Sequence, residues 1–179
     1  RNVTGVQTCA LPIFQDFEIV VTDDGSSDGS ADVVAALAAR DSRIRLHRNP
    51  RNLGDYANRN HAASLARGEY LKYHDSDDVM YPHCLETMVT LLSREPRAVL
   101  ALSNGGYWPG GPVPVLSTPA MSYRREFLGH GLFMAGPAGA LFRRAAFEAS
   151  GGFDRSEEPT SELQSHSFIS YAVFFLKKK

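Results

Sequence analysis

Short apolar runs alternate with amphipathic stretches along most of this chain. Phe17-Glu18-Ile19-Val20-Val21 is a β-branched run that predicts a strand buried in a sheet. Asp23 and Asp24 close it, and Gly25 and Gly29 suit a tight turn with positive φ. Asp28 or Ser30 then caps a helix predicted over residues 31–40, with Val33, Val34, Leu37 and Ala38 on one apolar face. Ile44-Arg45-Leu46-His47 alternates as a short strand, and residues 49–54 form a turn. A second helix is predicted over residues 55–67, with Ala62, Leu65 and Ala66 inward and Gly68 ending it in the left-handed region.

The apolar alternation Glu69-Tyr70-Leu71-Lys72-Tyr73 predicts the next strand. Pro82 starts a helix whose Leu85, Met88, Val89 and Leu92 recur at helical spacing, and residues 98–103 form a further strand. Residues 104–119 hold four glycines and four prolines and predict a loop. Strands alternating with helices, without internal repeats, define an α/β chain with a mostly parallel sheet flanked by helices.

Composition narrows the class. A chain of 179 residues, 43% hydrophobic and 22% charged, is long enough to bury a sizeable core. The formal net charge of −1 and the lack of a basic, aromatic-interleaved stripe argue against nucleic acid as a partner. Cys9 and Cys84 make no disulfide framework. No apolar run reaches the roughly 20 residues that span a bilayer. Residues 168–176 followed by three lysines are too short, and residues 1–13 lack the continuous core of a signal peptide. The cytosol is the expected compartment.

The chemistry concentrates at two strand ends. In Tyr73-His74-Asp75-Ser76-Asp77-Asp78, carboxylates two positions apart on extended backbone share a side, so Asp75 and Asp77 offer paired hard oxygen donors. Such a pair suits a Mg²⁺ or Mn²⁺ ion that completes its shell with phosphate and water. Asp23 and Asp24 close the upstream strand, and nothing in the turn chemistry requires two adjacent, mutually repelling carboxylates. In α/β sheets, ligands gather at the carboxyl ends of strands. His74 falls on the opposite strand face from Asp75, and His61 and His83 have no partner at zinc-like spacing. Tyr107 and Trp108 either stack on a sugar or anchor their own loop, and Gly136–Ala140 lacks the setting of a phosphate loop.

The ordered motifs carry a family resemblance. Phe14–Ser30, the stretch 49–54 with Asn58-Arg59-Asn60, Ala66-Arg67-Gly68-Glu69-Tyr70 followed by Asp75-Ser76-Asp77-Asp78, and Gly151-Gly152-Phe153-Asp154 together resemble family 2 glycosyltransferases of the GT-A fold. The resemblance covers residues 14–154. It implies an inverting transfer from a nucleotide-diphosphate sugar to a saccharide or lipid-linked acceptor hydroxyl, assisted by Mn²⁺ or Mg²⁺. It also implies Asp77 as direct metal ligand, Asp75 at the ribose or metal shell, Asp24 at the nucleotide base and Arg59 at the nucleotide; Asp23 belongs to the same wall.

Both ends depart from the family pattern. Residues 1–13 stand where its first strand and helix belong, and residues 155–179 stand where its catalytic base belongs, leaving only Glu157 and Glu158 near that place. These ends read as foreign sequence flanking a partial domain, which predicts donor binding without turnover. In a longer protein, attachment to the inner face of the membrane is expected. Two rival readings are a sugar-phosphate nucleotidyltransferase, which lacks its Gly-rich basic loop here, and a calcium module. The latter lacks a terminal Glu, since counting twelve from Asp23 or Asp24 reaches Val34 or Ala35.

Overall fold

The computed structural model describes residues 14–75, 78–103, 114–129 and 136–154, together with the backbone of residues 171–176. The first unit is strand β1 (Phe17–Asp23), helix α1 (Ser30–Ala38) and strand β2 (Ile44–Arg48). Helix α2 (Asp55–Ser64), strand β3 (Tyr70–His74), helix α3 (Cys84–Arg94) and strand β4 (Leu100–Leu102) follow. Helix α4 (Pro119–Leu128), a 3₁₀ turn (Pro137–Gly139), strand β5 (Ala140–Arg143), helix α5 (Arg144–Ala149) and strand β6 (Tyr171–Leu176) complete the order.

The six strands form one sheet in the order β2-β1-β6-β3-β5-β4. β1 and β2 pair in parallel, whereas β6 is antiparallel to both β1 and β3, and β5 is antiparallel to both β3 and β4. Propagating these directions, β1, β2, β3 and β4 all run one way, so the sheet is mostly parallel in direction, as expected. The two reversed strands alternate with the others, so adjacent pairs are mostly antiparallel. β6 pairs with β1 along Phe17↔Leu176 to Thr22↔Tyr171 and with β3 along Tyr70↔Leu176 to His74↔Ala172. It lies beyond residue 154, where the sequence reading ends the domain, yet it occupies the middle of the sheet.

Burial on both faces explains the continuous apolar run of β1, every residue of which is buried. On one face Phe17, Ile19 and Val21 pack with Tyr70, Leu141 and the α3 residues Leu85, Met88 and Leu92. On the other, Val20, Leu71 and Tyr73 pack with Ala62 and Ala63 of α2 and Phe147 of α5. Alternate β1 side chains thus serve opposite layers, as pleating requires. The helical spacing read for α3 holds, with Leu85, Met88 and Leu92 buried and Val89 partly so.

Several boundaries differ from expectation. α1 stops at Ala38, and its N-cap is Gly29 without a side-chain cap, although Asp28 Oδ1 accepts from Ser30 N at 3.0 Å. α2 stops at Ser64, short of residue 67, and Gly68 does not adopt positive φ. Just past the helix, the Leu65 carbonyl accepts from Arg45 Nη1 at 3.2 Å and Arg67 N donates to Glu18 Oε1 at 2.8 Å, so tertiary contacts take backbone groups that a longer helix would use. α3 begins two residues after Pro82, and Thr118 caps α4 inside the expected loop by accepting from Met121 N at 3.3 Å. No helix among the described residues is long and apolar enough to cross a membrane.

Candidate functional site

Asp23 and Asp24 sit at the carboxyl end of β1, where Gly25 (φ +93°) turns the chain toward α1. Both carboxylates are buried, and buried carboxylates need donors. Asp23 Oδ1 accepts from Ser26 N at 3.2 Å. Asp24 Oδ1 accepts from Asn49 Nδ2 at 2.7 Å and from Leu53 N at 2.8 Å, and Asp24 Oδ2 accepts from Gly54 N at 3.0 Å. Asp24 therefore organises the Asn49–Gly54 turn that launches α2.

The network extends into the helix. Asn49 Nδ2 also donates to Asn58 Oδ1 at 2.9 Å, and Asn58 Nδ2 donates to the Thr22 carbonyl at 3.4 Å. Because Asn49 must present its amide nitrogen to the carboxylate, its oxygen faces His61, whose Nδ1 lies 2.8 Å away. An oxygen acceptor there requires His61 to carry its proton on Nδ1. His61, set aside as a metal ligand from its spacing, is thus a hydrogen-bond donor to this network.

Asp75 follows the end of β3, and α2 brings Arg59 beside it. Arg59 Nη1 donates to Asp75 Oδ1 at 3.1 Å, and Nη2 lies 3.4 Å from Oδ2. Arg59 Nε donates to Asp55 Oδ1 at 2.7 Å, one helical turn earlier. The Arg59 side chain is only 6% exposed, and its Cζ lies 5.8 Å from the Tyr73 ring centroid. Tyr73 OH donates in turn to the Arg59 carbonyl at 3.2 Å; burial pushes that phenol above its ordinary range, so it stays protonated. Of the predicted site residues, Asp23, Asp24, Arg59 and Asp75 thus converge at the ends of β1 and β3. Asp77 lies outside the described residues, as do Tyr107, Trp108, Glu157 and Glu158.

The donor chemistry at the end of β3 is carboxylate oxygen, which fits a hard divalent cation. Both Asp75 oxygens are turned toward Arg59. Among the described residues no three of His, Cys, Asp and Glu converge as a metal group.

Lys72 is a site-adjacent residue that the sequence reading passed over. It points to the α3 face, is 3% exposed, and its Nζ donates to the carbonyls of Tyr73 and Ala138. Burial lowers its pKa from the ordinary lysine value, partly opposed by Cys84, Asp78 and Asp75. It ties the 3₁₀ turn to the end of β3. Asn60, the last residue of the Asn58-Arg59-Asn60 motif, has a structural part that the motif does not reveal. Its Nδ2 donates to the Phe153 carbonyl at 2.8 Å and its Oδ1 accepts from Phe153 N at 2.9 Å, docking the Gly151–Asp154 turn on α2. An open cleft runs beside that turn, lined by Asn60, Ser64, Phe147, Gly152 and Asp154. It does not include Asp23, Asp24, Arg59 or Asp75.

Asp23, Asp24 and Asp75 thus lie at the carboxyl ends of β1 and β3, two strands of the same direction separated by β6, and in α/β sheets ligands gather at such ends. The sequence profile of glycosyl transferase family 2 matches residues 7–151, and the chain belongs to this family. An uncharacterized glycosyltransferase of Haemophilus influenzae is 30% identical over 103 residues, covering 58% of this chain and 40% of that protein. A Campylobacter jejuni protein named GalNAc(5)-diNAcBac-PP-undecaprenol beta-1,3-glucosyltransferase is 36% identical over 77 residues, covering 42% and 25%. The crystal structure of S. aureus TarS 1-349 in complex with UDP superposes with a TM-score of 0.65 at 21% identity, covering 88% of this chain and 48% of that one. The chain therefore spans less than half the length of each of these proteins, and the structural likeness establishes the fold.

Proposed function

We propose that this chain forms the donor-binding part of a glycosyltransferase that moves a sugar from a nucleoside-diphosphate carrier to an acceptor hydroxyl. The observation that carries this reading is the convergence of Asp23, Asp24, Arg59 and Asp75 at two strand ends within a family 2 chain. TarS, whose fold this chain shares, has been crystallised with UDP and with UDP-GlcNAc, which supports a nucleotide-sugar as the donor class. Family membership also weighs against the nucleotidyltransferase and calcium-module readings.

Asp23 and Asp24 form the nucleotide wall, Asp24 doing so while it holds the 49–54 turn in place. Asp75 accepts from the ribose or joins the metal shell, with Asp77 as the direct ligand of a Mn²⁺ or Mg²⁺ ion. When bound, that ion offsets the negative charge that builds on the departing diphosphate. In an inverting transfer the acceptor oxygen bonds to the anomeric carbon as the carbon–oxygen bond to diphosphate breaks, and the hydroxyl proton passes to a base. Glu157 and Glu158 are the carboxylates nearest in sequence to where the family carries that base. The Campylobacter relative's name points to saccharide or lipid-linked acceptors as the class to assay.

Calorimetry with UDP, GDP and dTDP in the presence of Mn²⁺ tests the reading. Metal-dependent binding of at least one nucleotide is expected, lost in Asp77→Asn and kept in Ser76→Ala. Equal affinity in wild type and Asp77→Asn overturns the metal assignment, and no binding to any nucleotide overturns the donor-site reading.

A further inference from the structure

We propose that Asp55, which none of the motif reasoning assigns a role, is a positioning residue that sets Asp75 through Arg59. The proposal rests on the donor-site reading above and deepens it. Asp55 lies in the first turn of α2, and its Oδ1 receives Arg59 Nε at 2.7 Å. The other end of the same planar group forks onto Asp75, at 3.1 Å and 3.4 Å. A guanidinium gripped along one edge by Asp55 loses the freedom to turn its Nη atoms elsewhere, and it presents both to one carboxylate. The Tyr73 ring closes a further side of the group. Three side chains from α2 and the end of β3 thereby form one rigid unit, with solvent reaching mainly Asp75, 28% exposed against 15% for Asp55 and 6% for Arg59.

Charge gives Asp55 a second effect. Arg59 alone would cancel the charge of Asp75 itself, leaving the carboxylate it holds with no net attraction for a cation. With Asp55 included, two carboxylates and one guanidinium sum to one negative charge. The unit therefore fixes the orientation of Asp75 and keeps its surroundings attractive to a divalent ion. A lysine in place of Arg59 could bridge the two carboxylates only as a point charge, without the planar fork that fixes the orientation of Asp75.

The test is calorimetry with UDP, with and without Mn²⁺, on the full chain as wild type, Asp55→Asn, Asp75→Asn and the double variant. Asp55→Asn keeps the shape and removes the charge. It is expected to shrink the affinity gained on adding Mn²⁺ by about fivefold or more, while leaving metal-free UDP affinity unchanged or slightly higher. In the Asp75→Asn background the same change should alter affinity by less than about twofold, because the coupled partner is gone. Equal losses with and without Mn²⁺, or the same loss in both backgrounds, overturn the proposal. If wild type binds UDP under neither condition, the donor-site reading falls and the positioning role is judged separately. Slow guanidinium rotation, seen as resolved Arg59 Nη protons in ¹⁵N spectra, is expected in wild type and lost in Asp55→Asn; rotation unaffected by that variant contradicts the role.

Discussion

Helices α2 and α4 are both ten residues long, and their fates are the reverse of what their compositions suggest. α2 reads Asp-Tyr-Ala-Asn-Arg-Asn-His-Ala-Ala-Ser, yet Asn58 and Arg59 are as buried as Ala62 and Ala63. α4 carries Met121, Tyr123, Phe127 and Leu128, all more than half exposed, and buries none of its residues. The difference is that every polar group α2 brings inward meets a partner: Asn58 meets Asn49 and the Thr22 carbonyl, and Arg59 meets two carboxylates. Buried polar groups are tolerated when satisfied, and a satisfied network fixes one arrangement. α2 is thus the element that organises the ends of β1 and β3, whereas the Tyr123 and Phe127 rings of α4 pack against each other in a tilted pair, 4.7 Å between centroids.

The largest expected effect is from Arg59→Ala, which leaves Asp55 and Asp75 without the cation between them. Urea unfolding should show a loss of about 3 kcal/mol or more, as for removing one member of a buried ion pair. A loss under ~1 kcal/mol would place Arg59 among ordinary surface arginines and dissolve the contrast between the helices.

Gly152→Ala should come next. Gly152 has φ +79°, and an added Cβ would stand 2.5 Å from Asn60 Oδ1, the atom that receives Phe153 N. Backbone strain and the displaced amide together should cost about 2–3 kcal/mol. Gly25→Ala, with φ +93° and nothing within 4 Å of the added carbon, should cost only the backbone part, roughly 1–2 kcal/mol. Equal losses would show that Asn60 does not hold the turn.

Most of the scaffold was legible because apolar periodicity is local. β1 and the Leu85, Met88 and Leu92 stripe of α3 follow directly from spacing. The clustering of Asp23, Asp24, Arg59 and Asp75 followed from strand-end logic and from motif resemblance. What stayed hidden is tertiary. No local rule says that Asp24 accepts from Leu53 N and Gly54 N, twenty-nine and thirty residues away, or that Asn60 pairs with the Phe153 backbone. The early end of α2 was also hidden, because the Leu65 carbonyl and the Arg67 amide are taken by Arg45 and Glu18, far away in the chain. β6 was unreadable for the same reason: its place between β1 and β3 depends on which sheet edges are open, not on its own pattern.

Lys72 offers a smaller, pH-resolved effect. Its folded pKa lies below the unfolded value of 10.5 because burial disfavours the ammonium. Between those two values the unfolded chain binds more protons, so stability rises with pH across that window. Relative to Lys72→Met, wild type should gain stability as pH climbs toward 10.5, measured by thermal melts at fixed ionic strength. A constant difference across that range contradicts the buried, desolvated ammonium.

The smallest effect belongs to α4. Phe127→Ser and Leu128→Ser remove apolar groups that are 68% and 78% exposed, so each should shift unfolding by no more than about 0.5 kcal/mol. A loss above ~2 kcal/mol would mean that α4 packs as firmly as α2 and that their difference is not one of burial.

Hydrogen exchange with and without UDP and Mn²⁺ tests the central claim most directly, since it reads both helices in one experiment. Slower exchange is expected in residues 22–26, where Asp23 and Asp24 turn the chain, and in residues 49–60, which run from Asn49 through Arg59. Residues 119–128 should exchange at the same rate in both samples. Protection confined to residues 119–128, or none in residues 22–26 and 49–60, would contradict a donor site built by α2 at the ends of β1 and β3.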